Sequence, residues 1–195
     1  MSVQVRPATL DRWGDLVTVF GRRGEDPSWC WCSLFLRSAH RNAAELAATR
    51  DNRAALRREV AHAAVPPGLL AYVHDQPVGW TRLGPRSGFP RLSGNRVLAR
   101  VLSEDPGVWW VTCFAVDSRH RRSGVGSALL KAAVEFAREH GATALEGHPV
   151  DVAALSATRV GGSAVFTGTV AMFSAAGFTE VARTYPTRPV MRLLL

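Results

Sequence analysis

Residues 108–140 decide the fold, and they read VWWVTCFAVDSRHRRSGVGSALLKAAVEFAREH. The first nine of them, Val108–Val116, are apolar and rich in β-branched and aromatic side chains, which predicts a strand. A helix is predicted from Gly124 to about His140, with Gly141 at its C-terminal end. Its apolar residues recur at the spacing of one helix face that lies on a sheet: Leu129, Leu130, Ala133, Val134, Phe136 and Ala137.

The turn between this strand and this helix is suited to binding a phosphate. Backbone N–H groups at a helix N-terminus have no partner within the helix, and the helix dipole adds a partial positive charge there. Gly124 and Gly126 let the backbone approach an anion without a Cβ in the way, and Arg119, Arg121 and Arg122 add positive charge. The spacing Arg-x-x-Gly-x-Gly lacks one glycine of a dinucleotide fingerprint and the Lys-Ser/Thr of a P-loop. We therefore predict that a pyrophosphate binds this turn.

The rest of the chain predicts a mixed arrangement of helices and strands. In chain order these are a strand at 3–5, helices at 9–20 and 43–64, a hairpin of 69–74 and 77–83, a helical stretch at 95–102, a strand at 142–146, a helix at 170–176, and strands at 179–183 and 190–194. The chain, 1–195, is thus expected to be a single domain of the α/β (α+β) class. Segments 84–107 and 147–169 are predicted to be long loops that shape the pocket for the acceptor substrate.

Composition narrows the classes of protein. The formal charge is +8, and among 24 Lys and Arg residues only Lys131 is a lysine. This bias fits either a GC-rich coding preference or a surface that attracts anions, whereas no basic run is interleaved with aromatics as in single-strand nucleic-acid binders. The sequence has only three cysteines and no apolar run long enough to span a membrane, which predicts a cytoplasmic protein that does not cross a membrane. Nucleic-acid binding is not expected to be its main role.

Arg121–Gly126 resembles the acetyl-CoA pyrophosphate loop of the GNAT acetyltransferase superfamily, usually Gln/Arg-x-x-Gly-x-Gly/Ala, and the later Phe173–Phe178 segment (FSAAGF) supports the resemblance. The resemblance implies a mixed, mostly antiparallel sheet of six to seven strands, flanked by about four helices, and acetyl-CoA as co-substrate. It also implies pantetheine contacts from Phe114, Ala115 and Val116, with a backbone N–H near Phe114 polarising the thioester carbonyl. The pyrophosphate contacts that it implies come from Arg121, Arg122, Ser123, Gly124, Val125, Gly126 and Ser127.

The chain is also similar to a poorly characterised branch of this superfamily. The residues that carry this second resemblance are Trp29–Cys32, Gly68–Tyr72, Gly79-Trp80, Cys113-Phe114 and Glu146–Asp151.

Acyl transfer to an amine requires that a group take the proton of the amine, which is an ammonium at pH 7. Glu146, at a predicted strand end, is the first candidate base, and Asp151, Glu104 and His148 are weaker ones. Many members of the superfamily carry a tyrosine as general acid four residues before the Gly-Phe, but here that position is Phe173. Phe173 cannot donate a proton, so we expect it to pack against the pantetheine or within the core.

Several residues have both a structural and a functional interpretation. Cys113 is expected to be a buried apolar residue rather than an acyl-cysteine nucleophile. Cys30 and Cys32 lack the spacing of a zinc site, so no metal is expected, although a redox role stays open. Tyr72 and Tyr185 are expected to be structural. An aromatic set forms either an acceptor wall or core: Trp29, Trp31, Phe35, Trp80 and Trp110.

The sequence thus predicts an N-acetyltransferase that uses acetyl-CoA and a small-molecule or peptide amine, by direct attack in a ternary complex. The alternative is a non-catalytic acyl-CoA-binding sensor or partner module of the same fold, and an arginine-rich nucleic-acid-binding domain is a third hypothesis. Because dimers are common in the superfamily, a homodimer is left open.

Overall fold

The computed structural model describes residues 2–37, 51–155 and 164–195 of the chain. Seven strands form one sheet in the order β1-β2-β3-β4-β5-β7-β6. Only β4 and β5 are parallel neighbours, and every other adjacent pair is antiparallel. The strands are β1 Gln4–Pro7, β2 Gly68–Val73, β3 Gln76–Pro85, β4 Val108–Val116, β5 Ala144–Gly147, β6 Thr179–Tyr185 and β7 Arg188–Leu194.

Six α-helices occur in the described residues. They are α1 Trp13–Phe20, α2 Asn52–His62, α3 Pro90–Ser93, α4 Arg96–Ala99, α5 Val125–Glu139 and α6 Val170–Ala175.

The sheet is the middle layer, with helices packed on both of its faces. Alternate residues of a strand point to opposite faces, so neighbours in sequence can belong to different cores. On β2, Leu69 packs in one cluster with Leu129 of α5. The next residue, Leu70, packs in another cluster with Leu16 of α1 and Leu56 of α2. All five side chains are at most 2% exposed, so α5 and the pair α1 and α2 each close a separate core.

Strands β4 and β5 separate partway along their length. They pair up to Val111 opposite Gly147, where β5 ends. β4 continues to Val116 and keeps β3 as its partner on the other side, with an irregular register at which Thr112 has no direct partner. The edge of β4 over residues 112–116 therefore faces an opening that β5 does not fill.

The predicted fold class is confirmed: the sheet is mixed, mostly antiparallel and seven-stranded. The six α-helices of the described residues exceed the four that the resemblance implies, and two of the six, the one-turn helices α3 and α4, lie in segment 84–107, where one helical stretch was predicted. Within the helix predicted over 43–64, α2 begins at Asn52, and the Asp51 side chain caps it by accepting a hydrogen bond from the Ala54 N–H. Residues 43–50 of that prediction lie outside the described residues.

None of the helices in the described part of the chain is both long and apolar enough to cross a bilayer.

Candidate functional site

The predicted phosphate turn enters α5 through a left-handed glycine. Gly124 has φ +88° and ψ −4°, a conformation that costs a residue with a Cβ about 1 kcal/mol or more. The Ala128 N–H donates to the Gly124 carbonyl, whereas no described carbonyl or carboxylate accepts from the N–H groups of residues 125–127. These three donors therefore lie at the positive end of the helix dipole without a partner among the described groups.

The polar side chains of the turn differ in how far their charge is neutralised. Arg119 forms an ion pair with Asp117 at 2.9 Å, and its hydrogen bonds lower the pKa of Asp117 to about 2. The Arg121 Nε donates to the Val116 carbonyl at 3.2 Å, while Arg122 adopts a positive φ of 62°. Neither Arg121 nor Arg122 has a carboxylate partner in the described residues, so the turn keeps a net positive charge.

The remaining turn residues connect α5 to the core and to a surface groove. The Ser123 hydroxyl donates to the His120 carbonyl at 2.6 Å, and Val125 is buried below the turn. Gly126 faces α6, because a Cβ there would lie 3.3 Å from the Met172 sulfur. A groove of about 430 Å³ lies between α5 and α6, and Ser127, near the N-terminus of α5, is one of the residues that line it.

At the edge of β4 that β5 leaves uncovered, one backbone N–H already has a hydrogen-bond partner. Phe114, Ala115 and Val116 are half-buried, and the Phe114 N–H donates to the Phe166 carbonyl at 2.6 Å. The N–H expected to polarise a thioester is therefore paired with the segment that precedes α6. Gly168 anchors this segment with φ +85°, and a Cβ there would lie 3.3 Å from the Phe114 ring.

Phe173 lies in the core, which was one of the two interpretations of this residue. Its side chain is fully buried, and its ring packs edge-on against Phe114 and Phe178 at centroid distances of 6.4 and 4.9 Å. Gly147 gives it room, since a Cβ at that position would be 2.5 Å from the Phe173 ring. A bound ligand could therefore contact Phe173 only if the residues around this ring moved.

Glu146, the predicted base, is enclosed in an ion-pair network. Its side chain is 0% exposed; Arg86 Nη1 donates to Oε2 at 3.0 Å, and Arg192 Nε donates to Oε1 at 2.7 Å. The network ties the segment after β3 to strands β5 and β7. Because the side chain is sealed from solvent and both oxygens accept from guanidinium groups, a substrate could reach the carboxylate only after an ion pair opens.

His148 lies two residues further on, next to the point where β4 and β5 separate. Its Nε2 lies 2.7 Å from the Thr184 hydroxyl and 3.2 Å from the Arg188 carbonyl. Because the Thr184 hydroxyl also donates to that carbonyl, at 3.0 Å, we assign the ring proton to Nε2, which then donates to the Thr184 oxygen. Nδ1 keeps its lone pair, has no hydrogen bond to a described residue, and is not sealed from solvent.

The environment of His148 keeps its ring neutral. Burial and, to a lesser degree, the charge of Arg188 lower the pKa of His148 from 6.5 to about 4. The ring is therefore unprotonated at pH 7 with its Nδ1 lone pair free, and a pKa of about 4 makes it a weak base.

The weaker candidates occupy other environments. Asp151 pairs with Arg183 at 3.0 Å, and Glu104 is exposed. The Tyr72 hydroxyl donates to Asp15 at 2.8 Å, which supports a structural role. Tyr185 is 50% exposed on β6, the edge strand.

Most of the cysteines and tryptophans singled out in the sequence lie in the core, whereas Cys30 and Trp29 are exposed. The Trp80 Nε1 donates to the Cys32 sulfur at 3.1 Å, and Cys32 and Cys113 lie in the same buried cluster. Trp31, Trp80 and Trp110 are at most 1% exposed, so these rings support the core interpretation rather than an acceptor wall. No three His, Cys, Asp or Glu side chains within 2–37, 51–155 and 164–195 are placed to hold a metal ion.

Three residues near the site were missed by sequence reasoning: Thr167, Thr184 and Arg188. Arg188 Nη1 donates to the Thr167 hydroxyl at 2.8 Å and to the His148 carbonyl at 3.3 Å. Nothing in the sequence separates Arg188 from the many other arginines, and the two threonines belong to no recognisable motif. Only the return of β7 beside β5 brings them to His148.

Comparison with known proteins identifies the family and the fold to which this chain is similar. The model of the acetyltransferase (GNAT) family matches residues 29–160. The crystal structure of the GNAT domain of S. lividans PAT is 19% identical, with a TM-score of 0.55, over 99% of this chain and 90% of that chain. No match is found among curated proteins.

Two further similar structures contain coenzyme A. Aminoglycoside acetyltransferase AAC(6')-Ib in complex with coenzyme A is 16% identical, with a TM-score of 0.55, over 99% of this chain and 95% of that one. The PaiA N-acetyltransferase from Thermoplasma acidophilum in complex with coenzyme A is 11% identical, with a TM-score of 0.51, over the full length of both chains. At these identities the likeness establishes the fold.

Proposed function

Because this chain belongs to the acetyltransferase (GNAT) family, we propose that it transfers the acetyl group of acetyl-CoA to a primary amine by direct attack in a ternary complex. Family membership makes the chain an acyltransferase; the acyl donor, the acceptor and the order of steps are the proposal. The alternative, a non-catalytic acyl-CoA-binding module, is not favoured by that membership.

The single observation that carries the proposal is the free N-terminus of α5 beside the open edge of β4. The unpartnered N–H groups of residues 125–127 and the unpaired charges of Arg121 and Arg122 suit a pyrophosphate. The groove that begins at Ser127 offers space for the rest of the nucleotide. From this turn, a pantetheine arm would run along the β4 edge at residues 114–116.

The thioester is proposed to lie at Phe114. There its carbonyl oxygen would replace the Phe166 carbonyl as the acceptor of the Phe114 N–H, an exchange of one backbone hydrogen bond for another. The negative charge that develops on this oxygen during attack is then stabilised by a donor fixed in the sheet.

The proton of the attacking amine is proposed to pass to His148. The nitrogen of the amine bonds to the thioester carbon, the carbon–sulfur bond breaks, and CoA leaves as a thiolate that needs little help from a general acid. Glu146 stays the second candidate, because its oxygens are held by Arg86 and Arg192, whereas the Nδ1 of His148 is open. Because a pKa of about 4 makes His148 a weak base, its contribution lies at the lower end of the general-base range, and His148→Gln should lower kcat by about 100-fold.

A two-step experiment tests the proposal. Acetyl-CoA at about 100 times its Kd should stabilise the folded chain by roughly 2.7 kcal/mol in a thermal unfolding assay. Thiol release is then measured against a panel of amines. Binding without release for any amine would favour the non-catalytic module, and no stabilisation at millimolar acetyl-CoA would refute the proposal. The cytoplasmic location and the homodimer stay predictions.

A further inference from the structure

One guanidinium beside the proposed site lacks a carboxylate partner. Arg188 is half-buried at the start of β7, and its two hydrogen bonds use only Nη1, to Thr167 and to the His148 carbonyl. Its Nε and Nη2 have no hydrogen bond to a described residue and are not sealed from solvent. Burial lowers the pKa of Arg188, which means that the position penalises an unpaired positive charge.

The arginines next to Glu146, Asp151 and Glu59 already have a carboxylate partner. Arg86 and Arg192 share Glu146, and Arg183 pairs with both Asp151 and Glu180. Arg82, fully buried on β3, makes a two-bond ion pair with Glu59.

Arg188 also lies close to the residues that the proposed acetyl transfer uses. The carbonyl that it contacts belongs to His148, the proposed proton acceptor, and Thr167 follows directly on Phe166, whose carbonyl occupies the Phe114 N–H. The free Nε and Nη2 form a planar fork, which is the arrangement that holds the two oxygens of a carboxylate.

We propose that Arg188 binds a carboxylate of the acceptor, so that the amine substrate is of the amino-acid type, with a carboxylate a short distance from the amine. The inference rests on the proposed function and names its substrate class. An acceptor carboxylate would complete the ion pair that Arg188 lacks and place the amine near His148. A polycationic acceptor would instead meet an uncompensated positive charge.

The test compares each of a panel of amino acids with its amide, using thiol release by the wild-type chain. The amide keeps the size of the acid and removes its charge. Its amine is also less basic, so more of it is neutral at pH 7, and a preference for the acid cannot come from amine ionisation. We expect kcat/KM for the best amino acid to exceed that for its amide by about 10- to 100-fold, the range for hydrogen bonds to a charged group.

Variants assign that preference to the arginine. Arg188→Gln should raise KM for the amino acid by about tenfold or more, and by a clearly larger factor than KM for the amide, with Arg188→Lys in between. Arg183→Gln is the matched control, since its guanidinium lies nearby but is already held by Asp151 and Glu180. A loss of the same size for acid and amide would overturn the proposal.

A measurement on the wild-type chain keeps the inference testable if the variants do not fold. The N-acetyl amino acid should inhibit at least about tenfold more strongly than the N-acetyl amino-acid amide. Equal inhibition, or equal use of acid and amide, would overturn the carboxylate site while leaving acetyl transfer intact. Failure of acetyl-CoA to bind, or of any amine to release thiol, would overturn the proposed function itself and this inference with it.

Discussion

Replacing Glu146 by glutamine separates a structural carboxylate from a catalytic one. The side chain is 0% exposed and bonds Arg86 at 3.0 Å and Arg192 at 2.7 Å. Glutamine keeps one accepting oxygen but presents an NH₂ group to the second guanidinium, so one of the arginines loses its acceptor and both lose the negative charge.

The size of the effect follows from the burial of the partners. Removing one member of a buried ion pair typically costs about 3–5 kcal/mol. The side chains of Arg86 and Arg192 are 13% and 26% exposed, so each can turn partly to water, which places the expected loss at the lower end, about 3 kcal/mol. For a domain of this length that corresponds to a fall in Tm of roughly 6–12 °C.

The assay is calorimetric unfolding at pH 7 together with thiol release well below the Tm of the variant. Glu135→Gln on α5 is the control, because Glu135 pairs with Arg138 at an exposed position and should change stability by less than about 0.5 kcal/mol. We expect Glu146→Gln to be destabilised but to keep kcat within about tenfold of wild type, since His148 takes the proton.

Two results would refute this reasoning in different ways. An unfolding free energy within about 1 kcal/mol of wild type would mean that the ion pair contributes little to the fold. A fall in kcat of about 100-fold or more in the folded variant would restore Glu146 as the base.

Three further predictions address the turn, the histidine and the segment at β4. Arg121→Ala should weaken acetyl-CoA binding, measured by titration calorimetry, about fivefold to tenfold, and more at low salt. Arg119→Ala is the control and should change the affinity by less than about twofold, because the Arg119 side chain is already paired with a carboxylate. Equal losses in the two variants would contradict the assignment of Arg121. Because the pKa of His148 is about 4 when folded against 6.5 ordinarily, the unfolded chain takes up the proton first, so about 3 kcal/mol of stability present above pH 6.5 should be lost as the pH falls to 4. His148→Gln should remove that part of the pH dependence of the unfolding free energy, and an unchanged profile would contradict the pKa. Gly168→Ala should destabilise the fold by about 2 kcal/mol, because Gly168 has φ +85° and a Cβ there would lie 2.6 Å from its nearest neighbour. Gly14→Ala in α1 should not destabilise the fold, because a Cβ there meets open space. Equal thermal unfolding of the two variants would contradict this prediction.

The strand, turn and helix at 108–140 were predictable because each depends on neighbours in sequence. Periodicity defines Val108–Val116 and α5, and the glycine spacing defines the turn, so β4 and α5 lie where the pattern placed them. The order of the strands along the chain followed from the same local signals, whereas their order in the sheet was not predicted.

The interior of the site was not predictable, because it is made by contacts between distant parts of the chain. Glu146 looks like a free carboxylate at a strand end until Arg86, 60 residues earlier, and Arg192, 46 residues later, fold onto it. Phe166 belongs to a stretch with no periodicity, so nothing local places its carbonyl against Phe114. The neutral state of His148 depends on burial and on the charge of Arg188, neither of which a sequence pattern reports.

A crystal structure of the chain with coenzyme A bound is the most direct test of the central claim. The account predicts pyrophosphate oxygens within hydrogen-bond distance of the N–H groups of residues 125–127 and the pantetheine along residues 114–116 of β4, with the Phe166 carbonyl displaced from the Phe114 N–H. Coenzyme A bound elsewhere, or a Phe114 N–H that keeps Phe166 while the pantetheine is ordered, would contradict it.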